Sequence, residues 1–121
     1  MQRLTRKEEE LMKILWTLKK AFVKDIVAEY PEPKPHYNTI SSLVRLLQDK
    51  GFVGFKSYGS TYEYYPLLQK DKYRESIMSQ FINDYFDNSY KNAVAFFVSE
   101  NELSPEEQEE LIQLLKKEEE L

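Results

Sequence analysis

A mainly α-helical chain, with one β-hairpin set between two groups of three helices, is what these 121 residues predict. Three observations carry that expectation. Apolar residues recur at three- and four-residue spacing in two long stretches of the chain. Between the stretches lies a short aromatic and β-branched segment, Phe52 to Tyr65. Prolines and glycines fall where the patterns break, at Pro31-Glu32-Pro33-Lys34-Pro35, Gly51, Gly59-Ser60 and Pro66.

Thr5 opens the first helix as its N-cap, with Glu8 completing a capping box and Leu4 placed as a hydrophobic staple. Leu11, Ile14, Leu15 and Leu18, widened by Met12 and Trp16, form its apolar stripe as far as Lys19. After a link through Ala21, Val23, Ile26, Val27 and Tyr30 trace a second helix. The proline-rich segment stops it, since proline cannot continue the hydrogen-bond ladder and pushes the preceding residue out of helical geometry. A third helix begins near Asn38, buries Ile40, Leu43, Val44 and Leu47, and ends at Lys50-Gly51, where glycine takes the left-handed cap. Phe52 to Tyr58 and Thr61 to Tyr65, joined by Gly59-Ser60, read as a hairpin closed by Pro66.

Beyond Leu68 only helical patterns remain. Ile77, Met78, Phe81, Ile82, Tyr85 and Phe86 make a double apolar row too broad for one small domain to cover. A fifth helix starts at Asn88 or Ser89 and carries Tyr90, Val94, Phe97 and Val98 inward. A sixth starts with Ser104 as N-cap, Pro105 as its first residue and Glu106-Glu107 favoured by the dipole, with Leu111, Leu114 and Leu115 as its stripe. Three helices spanning about 50 residues bury too little surface to stand alone. A symmetric dimer resolves this, and Ile77, Met78, Phe81, Ile82, Tyr85, Val94, Phe97, Leu111, Leu114 and Leu115 are its expected contacts; the alternative is that the segment folds back on the N-terminal part.

Composition narrows the chemistry. A mass of 14.5 kDa fits one domain or two very small ones, too short for a large cofactor-binding enzyme. A hydrophobic share of 41% with 31% charged residues suits a packed core rather than a disordered polymer. Cysteine is absent, excluding disulfides, thiolate metal sites and a cysteine nucleophile, and the single His36 builds neither a metal cluster nor a catalytic dyad. No cofactor or metal is expected. No apolar run approaches the roughly 18 to 20 residues of a membrane span, and MQRLTRKEEE is neither a signal peptide nor an acylation motif, so a cytoplasmic protein without membrane contact is expected. Glu8-Glu9-Glu10, Glu106-Glu107 and Glu118-Glu119-Glu120 read as helix-dipole partners or solvated tails rather than acid/base pairs, and no Gly-rich phosphate loop exists. An enzyme is not expected.

Charge is unevenly placed. Residues 1 to 70 carry 12 Lys+Arg against 8 Asp+Glu, whereas residues 71 to 121 carry 5 against 13. Any contact with a polyanion therefore falls to the N-terminal part, although an acidic helix can also be simply a solvated face. Three short helices and a two-stranded hairpin follow the order of a winged helix-turn-helix domain, here residues 1–68, with residues 69–121 as the helical dimerisation domain. Asn38, Ser41, Ser42 and Arg45 occupy the outer side of helix three, small or hydrogen-bonding groups in place of the usual Glu/Lys mixture. His36 reads as a turn residue or a phosphate contact, with the turn favoured. Tyr58, Tyr62, Tyr64 and Tyr65 suggest a stacking surface, though strand alternation puts about half of them in the core.

Leu4-Thr5, Glu8-Glu9-Glu10, Met12 and Leu15-Trp16 are followed by Asp25-Ile26, Tyr37-Asn38-Thr39-Ile40, Leu43, Arg45-Leu46-Leu47, Lys50-Gly51-Phe52-Val53 and Tyr64-Tyr65-Pro66, and then by Phe86-Asp87-Asn88-Ser89, Phe97-Val98 and Leu103-Ser104. In the order and spacing of these motifs the chain resembles the penicillinase-repressor (BlaI/MecI/CopY) family of bacterial regulators. The resemblance implies a homodimeric transcriptional repressor whose winged helix binds an inverted-repeat operator in double-stranded DNA. It maps the major-groove contacts onto Asn38, Thr39, Ser41 and Ser42; Thr39 can instead serve as a helix-capping hydroxyl. Where the family wing often has a basic residue after its glycine this chain has Ser60, which leaves the wing's phosphate contact to Lys56 and Tyr58 and implies weaker wing binding.

The family's induction by a sensor protease uses an Asn-Phe bond in the fifth helix. The matching pair here is Phe96-Phe97, without the asparagine, so the inducing protein or signal is left open. Copper sensing through a C-terminal cysteine cluster is excluded. The competing expectation is a winged-helix protein-interaction module without specific DNA binding, whose acidic helices dock a basic partner.

Overall fold

The computed structural model describes residues 3–101 and 103–119. Its elements are α1 (Arg6–Leu18), α2 (Val23–Glu29), α3 (Tyr37–Asp49), β1 (Val53–Tyr58), β2 (Thr61–Pro66), α4 (Lys70–Phe86), α5 (Tyr90–Asn101) and α6 (Pro105–Glu119). Three helices and a hairpin, the winged helix-turn-helix order, thus precede three further helices. The chain divides into two compact units, Met1–Arg74 and Glu75–Leu121.

In the first unit, the capping box of α1 forms as its sequence dictates. Thr5 Oγ1 accepts from the Glu8 N–H at 3.2 Å, and the Thr5 N–H donates to Glu8 Oε1 at 2.8 Å. The staple does not form. The residue four places into the helix from Thr5 is Glu9, which offers Leu4 no apolar partner. Leu4 is instead buried in the core, with its N–H donating to the Tyr73 hydroxyl at 3.2 Å. That hydroxyl in turn donates to Glu9 Oε2 at 3.2 Å, and Trp16 Nε1 donates to the Leu68 carbonyl at 2.7 Å. Helix α2 ends where the prolines begin, with Tyr30 already extended at ψ 147°.

Leu11, Met12, Leu15, Ile26, Ile40, Val44, Leu47 and Val53 form the buried centre of this unit. Gly51, at φ 83°, turns the chain out of α3 into the hairpin. β1 and β2 pair antiparallel from Val53 opposite Pro66 to Tyr58 opposite Thr61, leaving Gly59-Ser60 as a two-residue loop whose first residue has φ 65°. Ala21, read from sequence only as a link, joins this ladder. Its N–H donates to the Tyr64 carbonyl at 2.9 Å and its carbonyl accepts from the Tyr64 N–H at 2.8 Å.

In the second unit, Ser89 caps α5, its Oγ accepting from the Asn92 N–H at 3.1 Å, and Ser104 caps α6 by accepting from the Glu107 N–H at 3.1 Å. Asp87 and Asn88, at φ 49° and 64°, turn the chain between α4 and α5. Ile82 and Ala93 are buried. Phe97, expected to point inward from α5, keeps 37% of its surface exposed. Three short helices have too little interior to enclose every residue of so wide an apolar row.

Candidate nucleic-acid interface

Helix α3 is presented by its own first turn. His36 is its N-cap: Nδ1 accepts from the Asn38 N–H at 3.0 Å, satisfying a donor that would otherwise be orphaned at the helix start. The imidazole is therefore the turn residue that the sequence favoured, and His36 rather than Thr39 caps the helix. With Ile40, Val44 and Leu47 buried, Asn38, Thr39, Ser42 and Arg45 are exposed and Ser41 is half-buried. The expected reading face is open to solvent. Lys34 is committed elsewhere, its Nζ donating to the carbonyls of Ala28 and Tyr30 at 2.8 and 2.7 Å.

The two faces of the hairpin differ. On one, Phe55 lies opposite Tyr64 and edge-on to Tyr62, with ring centroids 6.4 and 5.1 Å away. On the other, Lys56 Nζ stands 5.3 Å over the Tyr58 ring, which meets Phe22 at 5.9 Å. Gly54 also belongs to this second face, and a Cβ there would lie 2.7 Å from the ring of Tyr65. Lys56 and Tyr58 are both exposed, but they lie across the strand from the face that carries Phe55. Of the four tyrosines expected to divide evenly, only Tyr64 is buried; Tyr58, Tyr62 and Tyr65 are exposed. Tyr58 and Tyr62 lie at the loop end of the hairpin, whereas Tyr65 stands opposite Gly54 near its base.

Between α2, α3 and β2 lies an open concavity of about 320 Å³ lined by Phe22, Val23, Lys24, Tyr37, Ser41, Arg45, Ser60, Thr61, Tyr62 and Tyr64. A second, of about 280 Å³, is lined by Arg45, Gln48, Asp49, Phe55, Tyr62 and Tyr64. Arg45 and Tyr64 are common to both. Burial pushes the Tyr64 phenol above its usual value, while the hydrogen-bonded Arg45 guanidinium acts in the opposite direction. Thus Ser41 and Arg45 meet the wing, whereas Asn38, Thr39 and Ser42 line neither concavity.

Phe22, Lys24 and, as a contact, Tyr37 of the larger concavity escaped the sequence reading. Tyr37 could have been found, since Tyr37, Ser41 and Arg45 stand four residues apart along one stripe of α3. Lys24 carries no local signal; its place follows from the packing of α2 against α3.

In the second unit, the row expected to dimerise is partly exposed. Met78, Phe81, Tyr85, Phe97 and Leu114 are exposed, Ile77, Val94 and Leu111 are half-buried, and Ile82 is buried. The side chain of Leu115 lies outside the described residues. A chain of rings runs along this unit, with centroid separations of 5.1 Å for Tyr85 and Phe81, 5.9 Å for Phe81 and Phe86, 5.7 Å for Phe86 and Phe96, and 5.9 Å for Phe96 and Phe97. Tyr85 is 73% exposed. Among the described residues no helix is long and apolar enough to cross a membrane, and no group of His, Cys, Asp and Glu could hold a metal ion.

Comparison with known proteins gives concordant likenesses. The family model described as penicillinase repressor matches residues 4–117. The methicillin resistance regulatory protein MecI of Staphylococcus aureus strain N315 is 32% identical over 111 residues, covering 91% of this chain and 90% of that one. Its counterpart in Mammaliicoccus sciuri is 31% identical over the same shares of the two chains. The penicillinase repressor of Bacillus licheniformis is 26% identical over 109 residues, 89% of this chain and 85% of that one.

Proposed function

Because the chain belongs to the penicillinase repressor family, we propose that it is a homodimeric transcriptional repressor that binds an inverted-repeat operator in double-stranded DNA. Residues 1–68 read the DNA, and residues 69–121 hold two copies together. The protein works in the cytoplasm without cofactor or catalysis. The observation that carries this reading is the exposed, hydrogen-bonding face at the start of α3, beside a wing that shares Arg45 with it.

The mechanism follows from groove geometry. A single helix fits the major groove, where every base pair presents a distinct set of donors, acceptors and methyl groups. Asn38 pairs with adenine, Ser41 and Ser42 bond base edges or phosphate, and the Thr39 methyl meets a thymine methyl. Arg45, Lys56 and Tyr58 engage the backbone and set the register. Pairing through Ile77, Met78, Phe81, Tyr85, Val94, Phe97, Leu111, Leu114 and Leu115, with Ile82 supporting the row from within its own chain, sets two reading heads at a fixed separation, so the operator mirrors the protein's two-fold axis. Two copies also cover the exposed rings of the second unit.

Fluorescence anisotropy on duplex DNA from the chain's own upstream region, beside a scrambled duplex and across a salt series, tests the proposal. Two protomers per site, with a preference for the upstream duplex and steep weakening with salt, are expected. Equal, feeble binding to both duplexes at moderate salt would replace it with the protein-docking module.

A further inference from the structure

We propose that the concavity between α2, α3 and β2 seats one phosphate of the DNA backbone, held by Lys24 together with Arg45 and by the hydroxyls of Tyr37 and Ser41. This rests on the DNA-binding reading above and adds to it a phosphodiester site, with Lys24 and Tyr37 as contacts outside the expected base-reading set.

Four features point to a phosphate. The lining holds two cationic side chains and five hydroxyl-bearing residues, Tyr37, Ser41, Ser60, Thr61 and Tyr62, besides Tyr64, and it holds no carboxylate. The neighbouring concavity, by contrast, contains Asp49. Neither Lys24 nor Arg45 has a carboxylate partner among the described residues, so an arriving anion displaces none. Position agrees with charge. Tyr37, Ser41 and Arg45 form the side of α3 that faces β2, so a strand backbone flanking a groove that holds α3 would run between helix and wing. Arg45 also lines this concavity beside Tyr64, whose backbone is paired with Ala21. A phosphate bound here meets a guanidinium, which favours charge-assisted hydrogen bonding.

The site carries no base information, and that separates it from Asn38 and Thr39 in the experiment. In full-length protein, Lys24→Gln should weaken binding to operator and scrambled duplexes by the same factor, about fivefold per protomer near physiological salt, and lower the salt slope by about 0.9 per protomer. Tyr37→Phe should weaken both duplexes equally and leave the salt slope unchanged. A duplex scanned with single neutral methylphosphonate linkages should show one position per half-site at which wild type loses affinity and Lys24→Gln loses none further. Lys24→Gln that binds as wild type with an unchanged slope would overturn the site while leaving the repressor standing. Wild-type protein that binds neither duplex would overturn the repressor itself. Titration with inorganic phosphate alone distinguishes a free-anion pocket: saturable binding abolished by Lys24→Gln, with DNA affinity unchanged, would also overturn the assignment.

Discussion

Lys50 Nζ lies 2.8 Å from Glu8 Oε2, tying the residue that caps the end of α3 to the first turn of α1. Glu8 is 1% exposed, the single buried charged residue of the described core. Its other oxygen accepts from the Thr5 N–H. One carboxylate therefore completes a helix cap and receives a charge from 42 residues away.

Lys50→Ala removes the cation and leaves a buried carboxylate held only by its cap. Breaking a buried pair costs about 3 to 5 kcal/mol, and the lower end applies here because the Lys50 side chain is 25% exposed. The double variant Glu8→Gln/Lys50→Ala should lose less than the single variants Glu8→Gln and Lys50→Ala added together. Urea unfolding of all four proteins checks this, and a wild-type midpoint for Lys50→Ala would show that the pair contributes little.

The same carboxylate makes stability depend on acidity. Burial pushes the Glu8 pKa up, but hydrogen bonds from Lys50 and Thr5 outweigh it and hold the group below its usual 4.5. A carboxyl depressed by folding contributes stability that is complete above the unfolded value and lost as pH falls through the folded one. The difference in urea midpoint between wild type and Glu8→Gln should be constant above pH 4.5 and shrink below it. A difference that stays fixed down to strong acid would contradict the coupling.

Asn38→Ala and Thr39→Ala should reduce discrimination between operator and scrambled DNA, by about 1 to 3 kcal/mol where a bidentate base contact is lost. Anisotropy on paired duplexes measures it. Equal losses on both would place these side chains on phosphate. His36 should be left intact in such variants, because it caps the helix being tested.

Self-association is best probed through exposed rings. Phe81→Glu or Tyr85→Glu should weaken dimerisation by about 2 kcal/mol or more, as expected of an aromatic anchor at an interface. Sedimentation velocity over a dilution series reads the shift, and a variant that remains dimeric and binds DNA would place the interface elsewhere. Ile82 is the poorer choice, since it is buried within its own chain and a charge there would unfold the unit.

Local signals carried most of the fold. Thr5 with Glu8, the prolines after Tyr30, Gly51, Gly59-Ser60 and Ser104-Pro105 each act within a few residues, and each marks an element boundary in the structure. What stayed hidden depends on distant partners or unusual chemistry. His36 was legible as a turn residue, but not as the cap of α3, because that role needs an imidazole turned toward the Asn38 N–H. The ties from Lys50 to Glu8, Tyr64 to Ala21 and Tyr73 to Leu4 join residues that no spacing rule connects. For the candidate interface, helical periodicity exposed Asn38, Ser42 and Arg45 and the family resemblance added Thr39, whereas Lys24 became visible only once α2 and α3 were packed.

The two-residue loop at Gly59-Ser60 gives the wing a parity. Because strand side chains alternate, a single inserted residue that slipped β2 by one place would put Thr61 and Glu63 where Tyr62 and Tyr64 now stand on the side that meets Arg45. A carboxylate would then stand where the phenol now supports the guanidinium, and the anion-seeking surface would neutralise itself. A second inserted residue would restore the original sidedness. An inserted residue absorbed by the loop leaves this sidedness intact, whereas one that shifts the register by an odd step damages the surface.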